Sequence, residues 1–401
     1  MADKISAELL LRNLVQHIKQ NVGLASPLVE AAFRAVPRHL FLPHASLDEA
    51  YADAAVPLKY DSTGTLMSSA SQPSMIAIML DQAGLVPGHN VMEIGTAYGY
   101  NAALIQNIVG NQGYVTTIEI DDVLARQAVR NLQSIHLGQV RVVTGDGAAG
   151  YAPRAAYDRI IATAGVWDVP ASWWRQLKPD GRLVVPIWLD GIQVSAAFEP
   201  EADGTYYSNS NHPCSFVYLR GDTSAPEVRR QVGSSSLWLL GDDVDQIDTA
   251  ALHALLSDGI ETCHLESPQG RFDLWHGFQI YLMLHEPPNY VFTVYQVAED
   301  RQAYGVSGFG LGLFTRASAI FTPYNQKGMS SCFGGSEAFM KFQDTLDEWN
   351  IAGQPDFKQV RLRLIPITTE EPTISQGKLY RRQEHWLHVW LDLETPVAKN
   401  E

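Results

Sequence analysis

The sequence predicts a doubly wound α/β sheet, preceded by N-terminal helices and followed by a second, smaller α+β domain. Three observations lead to this prediction. Apolar strand segments alternate with helical segments between residues 90 and 186, a glycine turn joins the first of these strands to a helix, and the composition changes after Arg220. The 401 residues are enough for two or three domains, and a hydrophobic fraction of 46% suffices for two cores.

Two helices are predicted before the sheet. The first is marked by apolar residues at helical spacing: Leu9, Leu10, Leu14 and Ile18. The second spans residues 27–36, because Pro27 is a favoured first helical residue and Ser26 before it is a start signal. Five apolar segments then form the predicted strands of the sheet: 90–94, 114–118, 140–144, 157–165 and the end of 177–186.

The glycine turn follows the first strand. Gly95 and Gly99 stand four residues apart, with Glu93 two residues before the first of them, whereas dinucleotide-binding folds carry G-x-G-x-x-G. Glycine lacks a Cβ and adopts positive φ, so a nucleotide-like cofactor can approach its backbone. The spacing favours S-adenosylmethionine, with Glu93 near the cationic methionine end. The alternative is an ordinary, tightly packed strand-turn-helix.

Acidic residues follow the next two strands. Glu119 comes at about the distance where a carboxylate takes the ribose hydroxyls in doubly wound folds. Asp146 lies between two glycines, where a short acid can accept a hydrogen bond from the adenine amino group. Each acid alone fits a plain loop carboxylate, but three in order at the carboxyl ends of strands indicate a ligand site. The predicted cofactor-binding residues are Glu93, Gly95, Thr96, Gly99, Tyr100, Glu119, Ile120, Asp146 and Gly147.

Composition limits the partners that we expect. Lys and Arg number 29 against 44 Asp and Glu, and the net charge of −15 opposes attraction to nucleic acid or anionic lipid. No apolar run approaches the roughly 18 residues of a membrane helix, and residues 1–4 lack the features of a signal peptide, so we expect a cytoplasmic protein. Cys214, Cys263 and Cys332 are too scattered for a disulfide framework or a metal site.

Four ordered motifs give the chain a family resemblance. Residues 36–43 read V-P-R-H-L-F-L-P, residues 50–58 A-Y-A-D-A-A-V-P-L, residues 69–76 S-A-S-Q-P-S-M-I and residues 95–100 G-T-A-Y-G-Y. Over roughly residues 8–220 the chain closely resembles the protein-L-isoaspartate O-methyltransferases, whose pattern is P-R-x-x-F-V-P, A-Y-x-D-x-x-x-P, I-S-Q-P and G-T-G-S-G-Y. The resemblance implies a Rossmann-like S-adenosylmethionine-dependent enzyme that methylates a peptide carboxylate.

Ser71 is the predicted catalytic residue. It lies just before Pro73, so its hydroxyl meets the positive end of a helix, where a carboxylate binds readily. Spacing alone favours a helix cap, whereas the match to the family's S-Q-P favours a hydrogen bond to the acceptor carboxylate. No general base is required, because a carboxylate with a pKa near 4 is already ionised at neutral pH.

The chain departs from the family pattern at residues close to the predicted cofactor and acceptor sites. Ala97 and Tyr98 replace the family's middle glycine and the small residue after it, which makes the loop bulkier where methyl donor and acceptor meet. Tyr218 replaces the proline of the family's F-V-P-L strand, which shapes the acceptor pocket. We expect cofactor binding to persist, and we expect the identity of the substrate to be the property most affected.

The residues after Arg220 predict a C-terminal α+β domain over 221–401, following a methyltransferase domain over 1–220. Its strand candidates include 278–284, and its helix candidates are 249–256 and 336–349. Extended relatives of the family occur beside peptide natural-product pathways, where the added domain helps select a precursor peptide and the target is a normal aspartate.

Three functions stay open from the sequence. The enzyme methylates aspartate in a precursor peptide, or it methylates isoaspartate for repair, and both esters lead to a succinimide. The third possibility is a peptide-binding scaffold that binds the cofactor but has weakened catalysis. The intact acids Glu93, Glu119 and Asp146 argue against a scaffold.

Overall fold

The computed structural model describes residues 2–23, 26–221, 226, 228–242, 244–266, 269–298, 301–367 and 370–393. The described residues form a mixed sheet of eleven strands, an antiparallel sheet of seven strands and a two-stranded hairpin. Within this part of the chain, none of the helices combines the length and the apolar character that crossing a bilayer requires. The predicted fold class, a doubly wound sheet with N-terminal helices and a smaller α+β region, is confirmed.

The α-helices are α1 Ala2–Val22, α2 Pro27–Ala35, α3 Leu47–Tyr51, α4 Pro73–Ala83, α5 Tyr100–Val109, α6 Asp122–Ser134, α7 Ala171–Gln176, α8 Thr249–Ser257, α9 Arg271–Asp273, α10 Gln279–Leu284 and α11 Glu337–Ile351. A π-helical turn, Leu274–Phe278, joins α9 to α10. Short 3-10 helices lie at Arg38–Phe41, Gly147–Ala149, Ala152–Arg154 and Val244–Gln246.

The strands of the first half are β1 Val56–Tyr60, β2 Leu66–Ala70, β3 Asn90–Ile94, β4 Tyr114–Glu119, β5 Arg141–Thr144, β6 Tyr157–Ala162, β7 Leu177–Leu189, β8 Ile192–Pro200, β9 Tyr206–Ser208 and β10 Asn211–Cys214. Those of the second half are β11 Arg229–Gln231, β12 Leu237–Leu240, β13 Glu261–His264, β14 Val291–Val297, β15 Phe309–Phe314, β16 Ser318–Pro323, β17 Met329–Gly334, β18 Val360–Pro366, β19 Lys378–Arg381 and β20 His385–Leu391.

The parallel part of the first sheet positions the ligand site. Its strands run in the order β7-β6-β3-β4-β5, and every adjacent pair is parallel. The chain leaves β3 toward β4 and β5 on one side, then returns to β6 on the other side of β3. Ligands of doubly wound sheets bind where the strand order reverses in this way, outside the carboxyl ends of the strands. The switch point is therefore the carboxyl end of β3, where the glycine turn begins.

The N-terminal helices pack against this sheet as the sequence predicts. Ser26 caps α2 by accepting a hydrogen bond from the Val29 backbone N–H, and Pro27 occupies the first turn. The apolar face of α2 is buried against α5, where the rings of Phe33 and Tyr100 lie edge to face at 6.3 Å between centroids. This packing backs the helix that follows the glycine turn.

The first sheet continues into the C-terminal half of the chain. Strand β7 turns back into antiparallel β8, β8 pairs with β9, and β9 pairs with β18, beyond which lie β20 and β19. The buried apolar cluster is also continuous across both halves, and its members include Ile187, Val194, Phe292, Leu313 and Leu362. The division at residues 220 and 221 stays a prediction, and the sheet and core cross it.

Two expectations about the extension are corrected. Residues 278–284, expected as a strand, form the π-turn end and α10, because a short apolar run reads the same for a buried strand and a buried helix. The cysteines are not too scattered to pair: a disulfide joins Cys263 of β13 to Cys332 of β17, 69 residues apart in sequence, with Cα atoms 6.2 Å apart. Antiparallel pairing of β13 with β17 brings them together.

The β7–β8 turn packs against the second sheet and generates a stability prediction. Asp190 and Gly191 form a two-residue turn with positive φ at both positions. A Cβ at Gly191 would lie 2.9 Å from the Leu240 carbonyl oxygen and 3.0 Å from a Val294 methyl carbon, both in the second sheet. Gly204 also has positive φ, but nothing lies within 4 Å of its Cβ position.

We expect Gly191→Ala to lower the free energy of unfolding by about 1–3 kcal/mol more than Gly204→Ala. Both substitutions strain the backbone, but only the first also crowds packed atoms. Urea unfolding followed by circular dichroism measures the difference. Equal losses for the two variants would contradict tight packing of the turn on the second sheet.

Candidate active site

A cavity with about 860 Å³ of empty space, part of it open to solvent, lies at the carboxyl ends of the parallel strands. The glycine turn, the end of β2 and residues 217–220 form its wall. The predicted site residues that line it are Ser71, Gly95, Thr96, Tyr100, Glu119, Ile120 and Gly147. Three predicted residues do not line it: Glu93, Gly99 and Asp146. The structure thus brings most of the predicted set to one cavity and places the other three behind its wall.

The glycine turn lies tightly between β4 and β6. Gly95 has a φ of 96°, its N–H donates to the Ile118 carbonyl, and a Cβ there would lie 2.6 Å from the Thr163 hydroxyl oxygen. Ala97, at the position of the family's middle glycine, also has positive φ, 48°. The side chain of Tyr98 lines the cavity. The extra bulk that the sequence shows in this loop therefore borders the ligand space.

Gly99 serves the packing of the loop rather than the cavity wall. It is the N-cap of α5 with a φ of 90°. A Cβ at this position would lie 3.3 Å from the Ala128 side chain and 3.4 Å from that of Leu132, both on α6. The residue is needed for the positive φ and for the close approach of α6, which fix the direction of α5.

Glu93 lies completely buried behind the cavity wall. Its carboxylate accepts hydrogen bonds from the Asn101 side chain, at 2.8 Å, and from the Thr117 hydroxyl. The Thr117 and Thr96 hydroxyl oxygens are 2.6 Å apart. Burial raises the pKa of Glu93 to about 7, although both hydrogen bonds oppose the rise. Glu93 therefore holds two residues that line the cavity, Thr96 and Asn101, instead of facing the ligand.

Glu119 presents a fixed carboxylate to the cavity. One oxygen accepts the Ala97 backbone N–H at 2.8 Å, and the other accepts the Asp121 backbone N–H at 3.0 Å. Burial raises the pKa of this carboxyl, and the two N–H donors and the nearby Arg220 cation oppose the rise. Each carboxylate oxygen has further acceptor capacity, so the group can still accept hydroxyl donors from a ligand.

Asp146 is placed one layer behind Gly147. Its carboxylate accepts the Ala148 backbone N–H at 2.8 Å and caps the 3-10 helix at 147–149. The backbone of Gly221 passes directly against this carboxylate, because a Cβ on Gly221 would overlap it. Gly147 itself lines the cavity. The end of the methyltransferase half thus packs on the predicted adenine acid.

Ser71 borders the cavity without capping a helix. Helix α4 begins at Pro73, and its N-cap residue, Gln72, makes no side-chain cap. Asp53 takes that role, because its carboxylate accepts the Ser74 backbone N–H at 2.8 Å and the Gln72 amide N–H at 3.1 Å. The Ser71 hydroxyl makes no hydrogen bond to any part of the chain that the structure describes. The cap interpretation of this serine therefore fails.

Arg38 is the site residue that reasoning from the sequence did not single out. Its guanidinium is fully buried and donates to the backbone carbonyls of Ala50, Ala52, Ala54, Ala70 and Ser71, at 3.0 to 3.4 Å. Burial lowers its pKa. The signal was present in the P-R motif at 37–38. One cation thus joins the loop after α3 to the strand end that presents Ser71.

Comparison with known proteins decides the family. The family model described as protein-L-isoaspartate(D-aspartate) O-methyltransferase matches residues 11–224. The chain belongs to this family. It is 38% identical over 216 residues to protein-L-isoaspartate O-methyltransferase 2 of Archaeoglobus fulgidus, covering 54% of this chain and 95% of the relative. It is also 38% identical over 215 residues to the enzyme of that name from Methanopyrus kandleri, covering 53% and 92%.

One solved structure extends the fold comparison to the C-terminal half. A structure named protein-L-isoaspartate O-methyltransferase aligns with a TM-score of 0.50 at 23% identity, over 88% of this chain and 96% of that one. At this identity the likeness shows the fold. The sequence predictions of an enzyme of this family and of S-adenosylmethionine as its cofactor are confirmed.

The buried carboxyl of Glu93 makes the stability of the methyltransferase pH-dependent. Its pKa in the folded protein is about 7, against 4.5 for the unperturbed group, so the folded state binds the proton more tightly. This stabilisation is complete below pH 4.5 and is lost as the pH rises through 7. Glu93→Gln keeps the hydrogen-bonding shape and cannot ionise.

When the pH is raised from 5 to 8, we expect the unfolding free energy of Glu93→Gln to increase by up to about 3 kcal/mol relative to that of the parent. Urea unfolding without cofactor at the two pH values measures the gain. Glu201→Gln, in an exposed turn, controls for the loss of one negative charge. Parallel stability profiles of parent and Glu93→Gln would refute the raised pKa.

Proposed function

We propose that this methyltransferase esterifies the free carboxylate of isoaspartyl residues in peptides and proteins, with Ser71 as the catalytic residue that binds the acceptor. The observation that carries the proposal is the Ser71 hydroxyl. It borders the same cavity as the glycine turn and Glu119, and it is free of any capping duty. The fold of the extension is shared with a structure that bears the isoaspartate name, so the extension alone does not indicate a precursor-peptide enzyme.

We assign different parts of S-adenosylmethionine to different residues of the cavity wall. We assign the ribose hydroxyls to Glu119, the sugar and base edge to Ile120 and Gly147, and the methionine end to Gly95 and Thr96. The first of these assignments follows from the fixed carboxylate, which keeps acceptor capacity toward the cavity. Asp146 contributes through Gly147, which it holds at the wall by capping the 3-10 helix.

Three unpartnered polar atoms on residues of the cavity lining support a polar ligand. The Arg38 Nε, the Tyr100 hydroxyl and the Asn101 amide oxygen are buried and find no hydrogen-bond partner among the described residues, and all three residues belong to the cavity lining. Buried polar atoms are almost always hydrogen-bonded, so such atoms call for a ligand or water. The residues present fit the cofactor.

The reaction requires alignment of the acceptor carboxylate with the methyl donor, and it requires no proton transfer. S-adenosylmethionine, when bound, would supply an electrophilic methyl group, whose transfer to an acceptor carboxylate oxygen with loss of the carbon–sulfur bond would give a methyl ester and S-adenosylhomocysteine. Ser71 donates its O–H to the carboxylate and holds it in line. Orientation of this kind supplies on the order of 7–11 kcal/mol.

The ester then reacts without further help from the enzyme. The next backbone nitrogen attacks the ester carbonyl, methanol leaves, and a succinimide forms. Its hydrolysis gives aspartate or isoaspartate, so repeated methylation converts isoaspartyl residues to aspartyl ones. Repair is therefore the outcome of a generic isoaspartyl substrate.

One feature of the wall favours a second candidate function, methylation of a normal aspartate in a particular precursor peptide. Tyr98 and Tyr218 both border the cavity where the resemblance gives the family a small residue and a proline. Two aromatic rings at the acceptor position narrow the space for peptide. This observation supports an altered acceptor, and the following comparison separates the two functions.

We expect the protein to methylate short, unrelated isoaspartyl peptides and to ignore the same sequences carrying aspartate. Mass spectrometry for the gain of one methyl group, with release of S-adenosylhomocysteine as the rate, measures both. Methylation of structured aspartyl peptides in preference to every isoaspartyl peptide would overturn the repair function and establish the second candidate.

We expect Ser71→Ala to lower turnover about tenfold to hundredfold at saturating peptide, because a hydrogen bond to a charged group is worth about 1.5–3 kcal/mol. Cofactor affinity, measured by calorimetry, should stay nearly constant. Ser71→Thr keeps the hydroxyl and should retain most of the turnover. Equal losses for alanine and threonine would show that the side-chain volume, and not the hydrogen bond, matters.

A further inference from the structure

Charged and aromatic side chains of the extension are buried against the methyltransferase half. The Asp242 carboxylate accepts the Trp188 indole N–H at 2.6 Å and pairs with the Arg382 guanidinium at 2.7 Å. That guanidinium lies 3.9 Å from the centre of the Trp167 ring and is 4% exposed. Trp167 and Trp188 belong to the methyltransferase half, whereas Asp242 and Arg382 belong to the extension.

Trp188 connects this ion pair to the cavity. Its ring lies 6.0 Å, between centroids, from the ring of Tyr218, and Tyr218 lines the cavity. The backbone around Tyr218 is held separately, since the Gly165 N–H donates to the Val217 carbonyl at 2.9 Å and the Leu219 N–H donates to the Gly165 carbonyl at 2.8 Å. The Tyr218 ring therefore borders Trp188, and its backbone is held by Gly165.

A second set of contacts fixes the same hairpin. The Asp190 carboxylate, in the β7–β8 turn next to Trp188, accepts the Asp242 backbone N–H at 2.9 Å. It also accepts the Lys378 ammonium at 2.9 Å and the Tyr380 hydroxyl at 3.2 Å, both from the extension. A buried ion pair contributes little net stability, because desolvation offsets the attraction. These contacts join the β7–β8 turn, two residues after Trp188, to the extension.

The topology separates this contact from the cofactor. The residues assigned to the cofactor follow β3, β4 and β5, on one side of the switch point. Gly165 and Tyr218 lie beyond the end of β6, on the other side. Ser71 faces the same cavity. The contacts of this segment with the cofactor acids come from the neighbours of Tyr218, namely Arg220 near Glu119 and Gly221 against Asp146. We therefore expect a change of the Tyr218 ring to affect the acceptor more than the cofactor.

We propose that the Asp242–Arg382 pair of the extension positions Trp188 and, through it, Tyr218, so that the extension sets the shape of the acceptor half of the cavity. Trp188, Asp242 and Arg382 are positioning residues for peptide recognition, and none of them contacts the reacting atoms. The inference rests on the proposed function insofar as the acceptor is a peptide carboxylate. It assigns the extension a part in substrate recognition without a separate peptide-binding site.

The test uses the full-length protein and Trp188→Phe, which keeps a ring beside Tyr218 and removes the N–H that Asp242 accepts. We expect the KM for a peptide that the parent enzyme methylates to rise about threefold to tenfold, with kcat within twofold of the parent value. The Kd of S-adenosylmethionine should not change. The Kd of the unmethylated peptide, measured by anisotropy with S-adenosylhomocysteine bound, should weaken in parallel with KM.

A matched control separates positioning from general stability. Trp349→Phe removes another buried indole N–H bond, at 2.9 Å to the Pro355 carbonyl, far from the cavity wall. It should leave KM and the peptide Kd unchanged. If Trp188→Phe fails to fold by circular dichroism, Arg382→Gln removes the cation that pairs with Asp242 and should show the same rise in KM.

A double-mutant cycle tests the route through Tyr218. In a Tyr218→Ala background, Trp188→Phe should have no further effect on KM, because its target side chain is gone. An unchanged KM for the single variant, or additive effects in the cycle, would overturn the inference while leaving the proposed function intact. A parent enzyme that methylates no isoaspartyl peptide would overturn the proposed function instead, and the same measurements on an aspartyl acceptor would still test the positioning.

Discussion

The acceptor side of the site depends on one buried guanidinium. Arg38 donates hydrogen bonds to five backbone carbonyls in two separate segments of the chain, and no other described side chain donates to as many carbonyls. Left without this donor, the two buried carbonyls among them, those of Ala50 and Ala70, would each cost about 1–3 kcal/mol. Three of the sequence motifs thereby become one structure: P-R provides the cation, A-Y-A-D provides carbonyls and the cap at Asp53, and S-Q-P provides the serine.

The sequence predicts the parts of the site that local chemistry determines. A glycine turn after a strand, followed by acids at later strand ends, places Gly95 and Glu119 in one cavity because parallel strands end at a common edge. It does not predict which side of a loop a residue faces. Glu93 and Gly99 fit the motif as well as Gly95 does, yet one is buried behind the wall and the other faces α6.

The extension could be predicted only in part, because its arrangement rests on contacts between distant residues. Helices α8 and α11 follow from apolar periodicity. The apolar run at 278–284 has no such signature, and its helical state is set by packing of Phe278 against Phe342 and Trp349. Strand β18 reads as a strand, but nothing local states that its partner is β9, more than a hundred residues earlier.

The pairing of β9 with β18 has a consequence for synthesis on the ribosome. Strand β9 emerges early, whereas the strand that covers its free edge is made only after the whole second sheet. Until then, the nascent methyltransferase half presents an open strand edge, the kind of surface that recruits other chains and chaperones. The extension therefore acts as a late closing segment of the first sheet. A chain cut after residue 224, where the match to the family model ends, would leave the edge of β9 permanently open.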